Sequence, residues 1–157
     1  MKSFIHFNAN TVDEAIRKLK EHKPSMVIAG GTDCLGVLKG RLLPYYPEAL
    51  VNIKTIAGLD RILEDDAGLK IGAAAKLSDI AASSIIKARY SILADAATSV
   101  ATPQIRGMAT LGGNLCQDVR CWYYRHPHQV GGRILCLRKG GKICNALAGD
   151  NRYHSIF

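Results

Sequence analysis

Acidic residues are the first scarcity. The 157-residue chain has 13 Asp and Glu against 21 Lys and Arg, a formal net charge of +8, and no acidic residue falls between Val119 and Cys144. That stretch carries Arg120, Arg125, Arg133, Arg138, Lys139 and Lys142, close to four of the five cysteines. A basic chain ordinarily suggests nucleic acid or an anionic membrane surface as partner. Here the charge is gathered beside thiols, so no nucleic-acid partner is expected. No run of about 18 apolar residues occurs, and no membrane span is expected. The N-terminal MKSFIHFNANTVDEAIRKL lacks the unbroken apolar stretch of a signal peptide, and the expected location is cytoplasmic. A reducing compartment disfavours structural disulfides and leaves metal, cluster or buried-thiol roles for cysteine. Also missing are G-x-G-x-x-G, the P-loop G-x-x-x-x-G-K-[ST] and a C-x-x-C knuckle, so Rossmann and Walker assignments fail on spacing. No triad or carboxylate pair stands out for acid–base or nucleophilic work.

What is present suffices for a core: 48% of the residues are apolar, enough for one ordinary domain or two small lobes. Thr11 and Glu14 form a capping box ahead of Val12, Ala15, Ile16 and Leu19, which share one face, and this predicts a helix from Thr11 to His22. Phe4, Ile5 and Phe7 before it, and Met26 to Ala29 after Pro24, predict two strands, the second buried; together they start a β-α-β unit. A glycine turn then leads into a helix around Leu35 to Leu38, and Ala49 to Ile53 is a further strand that closes a first lobe. Beyond it, Leu69 to Gly72 predicts a strand and KLSDIAASSIIKARYSILADAATSVA is mostly helical. The expected fold class is α+β in two lobes, residues 1–56 and 57–157, with loops and short strands in the cysteine-rich segment 116–154. Ile156 and Phe157 end the chain with no element to bury them, which suggests a fragment or a protein whose final portion is missing.

Two glycine turns stand out, IAGGTD at 28–33 and TLGGN at 110–114. A Gly-Gly pair after a buried strand lets main-chain N–H groups approach a ligand, because no Cβ intervenes and positive φ costs little. Phosphate oxygens are the natural guest. Thr32 adds a hydroxyl, the following helix points its positive end the same way, and the second turn offers the same chemistry with Thr110 and Asn114. Either pair is also readable as a plain tight turn; a diphosphate clamped between two lobes is the sharper reading.

IAGGTD with its downstream Leu, IGAAAKLSDIA, and above all TPQIRGMATLGGNL resemble the FAD-binding subunit of the molybdenum hydroxylase superfamily, the group that contains xanthine dehydrogenase and aerobic carbon monoxide dehydrogenase. The resemblance covers nearly the whole chain in the same order. It implies a two-lobed FAD-binding domain whose first turn grips the pyrophosphate while the second closes over it. Carried onto this sequence, it assigns Ile28, Ala29, Gly30, Gly31, Thr32, Asp33, Thr110, Gly112, Gly113 and Asn114 to the cofactor. Two departures are visible. The family commonly has Asn after the Ile-Arg pair where this chain has Gly107, and it continues through further strands and a C-terminal helical domain.

Cys116, Cys121, Cys136 and Cys144 leave zinc and an iron–sulfur cluster both open on chemistry alone. The nearby cations would offset the charge of either tetrathiolate site and do not choose between them. NLCQDVRCWYY and CLRKGGKIC are similar to the β subunit of 4-hydroxybenzoyl-CoA reductase and to the FAD subunit of the periplasmic aldehyde oxidoreductase, which implies an extra [4Fe–4S] cluster with Cys121, Cys136 and Cys144 as ligands. The reductase has a cysteine at the position of Tyr153, and the aldehyde oxidoreductase type has one beyond this chain's end, so Cys116 and His154 are the candidates here for the fourth ligand. A lone His in such a tail is also an ordinary surface or core residue. Cys34 is expected to be a small packing residue. Trp122, Tyr123 and Tyr124 fit either packing or a place between cluster and flavin, and the cationic ribbon fits a solvated face or a dock for an acidic partner.

The functional expectation is the flavoprotein subunit of an oxidoreductase. Substrate would react at a molybdenum cofactor on a large partner chain, with [2Fe–2S] centres on a small partner chain, FAD on this one, and an external electron donor or acceptor beyond. The alternatives are a non-enzymatic zinc- or nucleic-acid-binding module, and a truncated remnant lacking FAD.

Overall fold

The computed structural model describes residues 1–43, 45–126, 134–152 and 154. Arg133, Tyr153, the VGG glycines and the Ile156–Phe157 pair lie outside the described residues. The chain divides into two compact units, one of residues 3–34 and 47–117, the other of residues 1–2, 35–46 and 118–157.

In the first unit, β1 (Ile5–Asn8), α1 (Val12–Glu21) and β2 (Ser25–Ile28) form the expected β-α-β start. Capping chemistry sets the beginning of α1. Thr11 Oγ1 accepts from Glu14 N at 3.1 Å, while the Glu14 carboxylate accepts from Asn10 N at 2.8 Å. α2 (Cys34–Lys39) belongs to the other unit but for Cys34; β3 (Ala49–Asn52) inserts between the first two strands and gives a parallel sheet of order β1-β3-β2. All four β3 residues are buried. This order corrects the expectation of a buried β2: an edge strand is covered from fewer directions, and Val27 is 44% exposed. Ala9, Ala15, Val51 and Ile56 form one hydrophobic cluster, with Phe7 and Leu19 packed against it.

Next comes an antiparallel hairpin of β4 (Ile62–Asp65) and β5 (Gly68–Ile71). The Ala- and Ser-rich stretch is three helices, α3 (Leu77–Ala82), α4 (Ser84–Arg89) and α5 (Ser91–Ser99). Ser83 leaves helical geometry and its hydroxyl accepts from Ile86 N, restarting the helix; Tyr90 breaks it again with ψ 44°. Small side chains let these helices approach closely. Ala75, Ala94, Ala97 and Ala109 join Leu77, Ile80 and Ile86 in a second hydrophobic cluster. Glu64 ties the hairpin to α4, accepting from the Tyr90 hydroxyl at 3.0 Å and pairing with Arg89 at 2.9 Å. Two short helices complete the unit, α6 (Pro103–Arg106) and α7 (Leu111–Leu115), capped by the Thr102 and Thr110 hydroxyls.

In the second unit the cysteine-rich segment holds a 3-10 turn (Leu137–Lys139) and α8 (Asn145–Ala148), with no strand among the described residues. A closed loop stands where short strands are expected: Cys136 O accepts from both Lys139 N and Gly141 N, and Leu137 N donates to Ile143 O at 2.8 Å. Several of the cations turn inward. Arg125 donates to the main-chain oxygens of Val119 and Asp118 at 2.7 and 2.8 Å, and Arg138 lies 3.5 Å from Asp118 Oδ1. Lys139 Nζ sits 4.9 Å from the centre of the Tyr124 ring, and the Tyr124 hydroxyl donates to Asp118.

Burial, and after it the bond to Asp118, push the Tyr124 hydroxyl up to about 12. A phenol raised in the folded state contributes stability that is whole below the unfolded value near 10 and is lost as pH rises toward 12. Ultraviolet titration of the folded protein should therefore show a tyrosine ionising above about pH 11, lowered in Asp118→Asn. A single step near pH 10 for every tyrosine would contradict this environment.

Candidate functional site

The parallel strands bring their carboxyl ends, Asn8, Asn52 and Ile28, to one edge of the sheet. Ligands of open α/β sheets settle beyond that edge. Asn52, 9% exposed, ties the edge together: its amide nitrogen donates to Asn8 Oδ1 at 2.8 Å and its oxygen accepts from Lys54 N at 3.1 Å. Ile53 N donates to Ile28 O at 3.1 Å, the last rung before β2 runs into the first glycine turn.

Gly30 and Gly31 are needed for different reasons. Gly31 has a φ of 72°, which L side chains rarely adopt. At Gly30 the reason is space: a Cβ there would lie 2.2 Å from Met108 O and 3.0 Å from Ala109 Cα. The first turn thus rests on the backbone that leads into the second, within one compact unit. None of the described residues accepts a hydrogen bond from the main-chain N–H of Ala29, Gly30, Gly31 or Thr32. Successive amides without an internal acceptor, next to a positive-φ glycine, suit an anion.

The second turn is built differently. TLGGN is the capped start of α7: Thr110 is 2% exposed, and its hydroxyl accepts from Gly113 N at 3.2 Å. Leu111 N donates to Ala75 O and Gly112 N to Ala73 O, both at 2.8 Å, and Asn114 N donates to Thr110 O at 2.9 Å. The expectation that this turn offers the same amide chemistry is corrected, because the N–H groups of Leu111, Gly112, Gly113 and Asn114 already have protein acceptors. Gly112 serves close packing, a Cβ there lying 2.9 Å from Ala73 O. The polar group that remains is the Asn114 side chain, whose oxygen accepts from Gln117 at 3.3 Å and whose nitrogen donates to none of the described residues.

Sequence reasoning missed the frame behind these turns. A Cβ at Gly72 would lie 2.0 Å from Leu59 O, and Ala74 N donates to the same oxygen at 2.7 Å, so residues 72–76 are fixed on one side by the 55–60 loop and on the other by α7. The available signal was an isolated glycine at a strand end, which marks close backbone approach.

The thiols are dispersed. Cys116 is exposed, Cys121 and Cys144 are half-buried and Cys136 is buried. Cys116 belongs to the first compact unit and the other three to the second. No three His, Cys, Asp or Glu side chains gather closely enough among the described residues to hold a metal ion. The ligand set implied by resemblance is therefore not assembled here: Cys136 is fixed in its closed loop, Cys144 precedes α8, and His154 stacks on Tyr123 at 6.3 Å and meets Trp122 edge-on at 5.9 Å. Trp122 Nε1 donates to Asp150 O at 3.1 Å, so the aromatic residues pack within their own unit. Burial, with the charge of Asp33 adding to it, raises the Cys34 thiol, which stays protonated and unreactive at neutral pH.

A model of the FAD binding domain in molybdopterin dehydrogenase matches residues 2–121. The chain belongs to this family. This FAD-domain chain is 34% identical over 157 residues to the aldehyde oxidoreductase FAD-binding subunit PaoB of Escherichia coli (strain K12), a match covering 99% of it and 47% of PaoB. It is 34% identical over 113 residues to the carbon monoxide dehydrogenase medium chain of Hydrogenophaga pseudoflava, covering 71% of this chain and 39% of that one. Among solved structures, carbon monoxide dehydrogenase from Hydrogenophaga pseudoflava aligns with a TM-score of 0.69 at 33% identity, over 73% of this chain and 39% of that chain. Quinoline 2-oxidoreductase from Pseudomonas putida 86 aligns at 0.68 and 28% identity, over 73% and 40%. The chain spans about half the length of PaoB and less of the others. The PaoB match runs through the cysteine-rich segment, whereas the family model ends at Cys121.

Gly107, where the family commonly has Asn, has φ −66° and room: a Cβ would meet nothing closer than 3.5 Å. Gly107→Ala should leave stability unchanged or raise it by about 0.4–1 kcal/mol, while Gly30→Ala should lower it by about 1–3 kcal/mol. Denaturant unfolding of the two variants side by side checks this, and equal midpoints would contradict the Gly30 contact. In alkylation at neutral pH, Cys116 should react first and Cys34 and Cys136 at least about tenfold more slowly, as read by peptide mass mapping.

Proposed function

We propose that this chain is the FAD-binding portion of an electron-transfer subunit in a multi-subunit molybdenum-containing oxidoreductase. The carrying observation is the first glycine turn, whose amides from Ala29 to Thr32 have no acceptor among the described residues and whose Gly30 is seated on the Met108 carbonyl. Those amides and the Thr32 hydroxyl would hold the pyrophosphate, following Ile28 at the sheet edge. The Asn114 side chain would add a donor from α7, with Gly112 and Gly113 forming the wall below Thr110. Asp33 would fix the exit of the turn. FAD supplies two-electron exchange with a small-molecule donor or acceptor and one-electron exchange with a metal cluster. The residues of this chain bind, orient and shield; no proton transfer is asked of them. The separate hydrophobic clusters around Val51 and around Ile80 support a lobe boundary at residues 56 and 57.

The partners we propose are a molybdenum-cofactor large subunit, a [2Fe–2S] small subunit and an external electron donor or acceptor. Support comes from relatives named as a medium chain and an FAD-binding subunit of such enzymes. The proposed location is the cytoplasm, which suits five free cysteines, and no helix among the described residues is long and apolar enough to cross a membrane. A [4Fe–4S] cluster on Cys121, Cys136 and Cys144, with Cys116, rests on the sequence resemblance alone: the cysteines are not gathered among the described residues, and no electron step is assigned to it.

Titration of the purified chain with FAD, followed by quenching of flavin fluorescence, tests the reading. About one equivalent should bind, and Gly31→Val should weaken binding about tenfold or more, since a β-branched residue resists positive φ. No uptake by the parent chain would overturn the assignment. Iron and acid-labile sulfide measured on the same anaerobic preparation decide the cluster: about four irons per chain support it, and bound FAD without iron removes it.

A further inference from the structure

We infer that Arg106 is a positioning residue for the nucleotide site, acting by holding the strained turn at Ala101. Ala101 has a φ of 45°, a left-handed conformation that is uphill for a residue with a Cβ. Such a residue persists where its surroundings over-determine it. The Arg106 guanidinium does so: its Nη1 donates to Val100 O at 2.9 Å and to Ala101 O at 3.2 Å, bridging both carbonyls of the turn. Arg106 is half-buried and has no carboxylate partner among the described residues, so the carbonyl pair is what it serves.

The consequence runs toward the first glycine turn. The clamp closes the chain from Val100 onto the last residue of α6, and Arg106 N donates to Thr102 O at 3.0 Å within the same loop. Met108 N and Ala109 N both donate to Ile105 O, at 3.1 and 2.7 Å, so the carbonyl set on Gly30 is placed relative to α6. Releasing the turn lets Ala101 relax toward extended backbone and frees α6 to shift, and the Met108–Gly30 seat shifts with it. A lysine ammonium can also donate to two carbonyls, but from a flexible stem that is less pre-organised than the guanidinium, so it should hold the turn less firmly.

The test has one arm that needs no cofactor. In the FAD-free chain, hydrogen exchange of the Leu111 and Gly112 amides reports the seat through their bonds to Ala75 O and Ala73 O. Arg106→Met should speed that exchange about tenfold or more while the α4 amides around Ile86 keep their protection, with Arg106→Lys falling between. Ala101→Gly, which makes the same φ easy, should restore protection in the Arg106→Met background. A merely structural arginine would not be rescued this way. In the second arm, which rests on the FAD reading, the Kd for FAD should rise about tenfold in Arg106→Met and return toward the parent value with Ala101→Gly. Unchanged exchange, absence of rescue, or acceleration spread evenly through α4 would each overturn the positioning role. If the exchange difference appears but the parent chain takes up no FAD, the positioning role is supported and the FAD reading falls.

Discussion

Backbone meets backbone at Gly30, and the rest of the site depends on that contact. With no Cβ in the way, the first turn lies against the carbonyl of Met108, at a distance that any side chain would forbid. The same device recurs twice nearby, at Gly72 against Leu59 O and at Gly112 against Ala73 O. Loop 55–60, residues 72–76, α7 and the exit of β2 are thereby linked through main-chain contacts with no side chain between them. Such a frame has few rotamers to vary and little room to yield. It is suited to holding two turns at a fixed distance and poorly suited to absorbing substitution.

The two glycine turns look alike as sequence and differ as chemistry because their amides have different neighbours. A main-chain N–H must find an acceptor somewhere, in the protein, in water or in a ligand. The amides of Leu111 to Asn114 find theirs in Thr110, Ala73 and Ala75, whereas those of Ala29 to Thr32 find none among the described residues. A five-residue helix with its first amides already capped adds little positive potential of its own. The first turn is therefore open to an outside acceptor and the second is closed by its own protein partners, with the Asn114 side-chain nitrogen as the donor it leaves over among the described residues.

Charge in the cysteine-rich segment follows a separate logic. Asp118 is the hub: Arg125 binds its main-chain oxygen, Arg138 approaches its carboxylate, and Tyr124 donates to it while Lys139 lies over the Tyr124 ring. Lys139 is only 9% exposed, and the electron-rich face of an aromatic ring lets an ammonium be buried at moderate cost. These cations hold a loop-rich unit together that has few apolar side chains to bury.

Local chemistry was legible and long-range contact was not. The Thr11 cap, the strands at 5–8, 25–28 and 49–52, and the positive-φ glycine of the first turn all follow from spacing of a few residues, while the reason for glycine at 30 is a contact with distant Met108. β4 escaped because Ile62–Asp65 alternates over only four residues and carries two acids; the break at Ser83 escaped because serine is ambiguous between helix interior and cap. Which amides of a turn stay free is fixed by residues far away in sequence, Ala73 and Ala75 for the second turn, and no motif encodes it. Family resemblance supplied the ligand, the order of the motifs and a gripping and a closing part for the two turns, whereas the reading from residue types gave both turns the same chemistry. The physical distinction between them came only from tracing where each N–H goes: those of Ala29 to Thr32 meet no acceptor among the described residues, and those of Leu111 to Asn114 do.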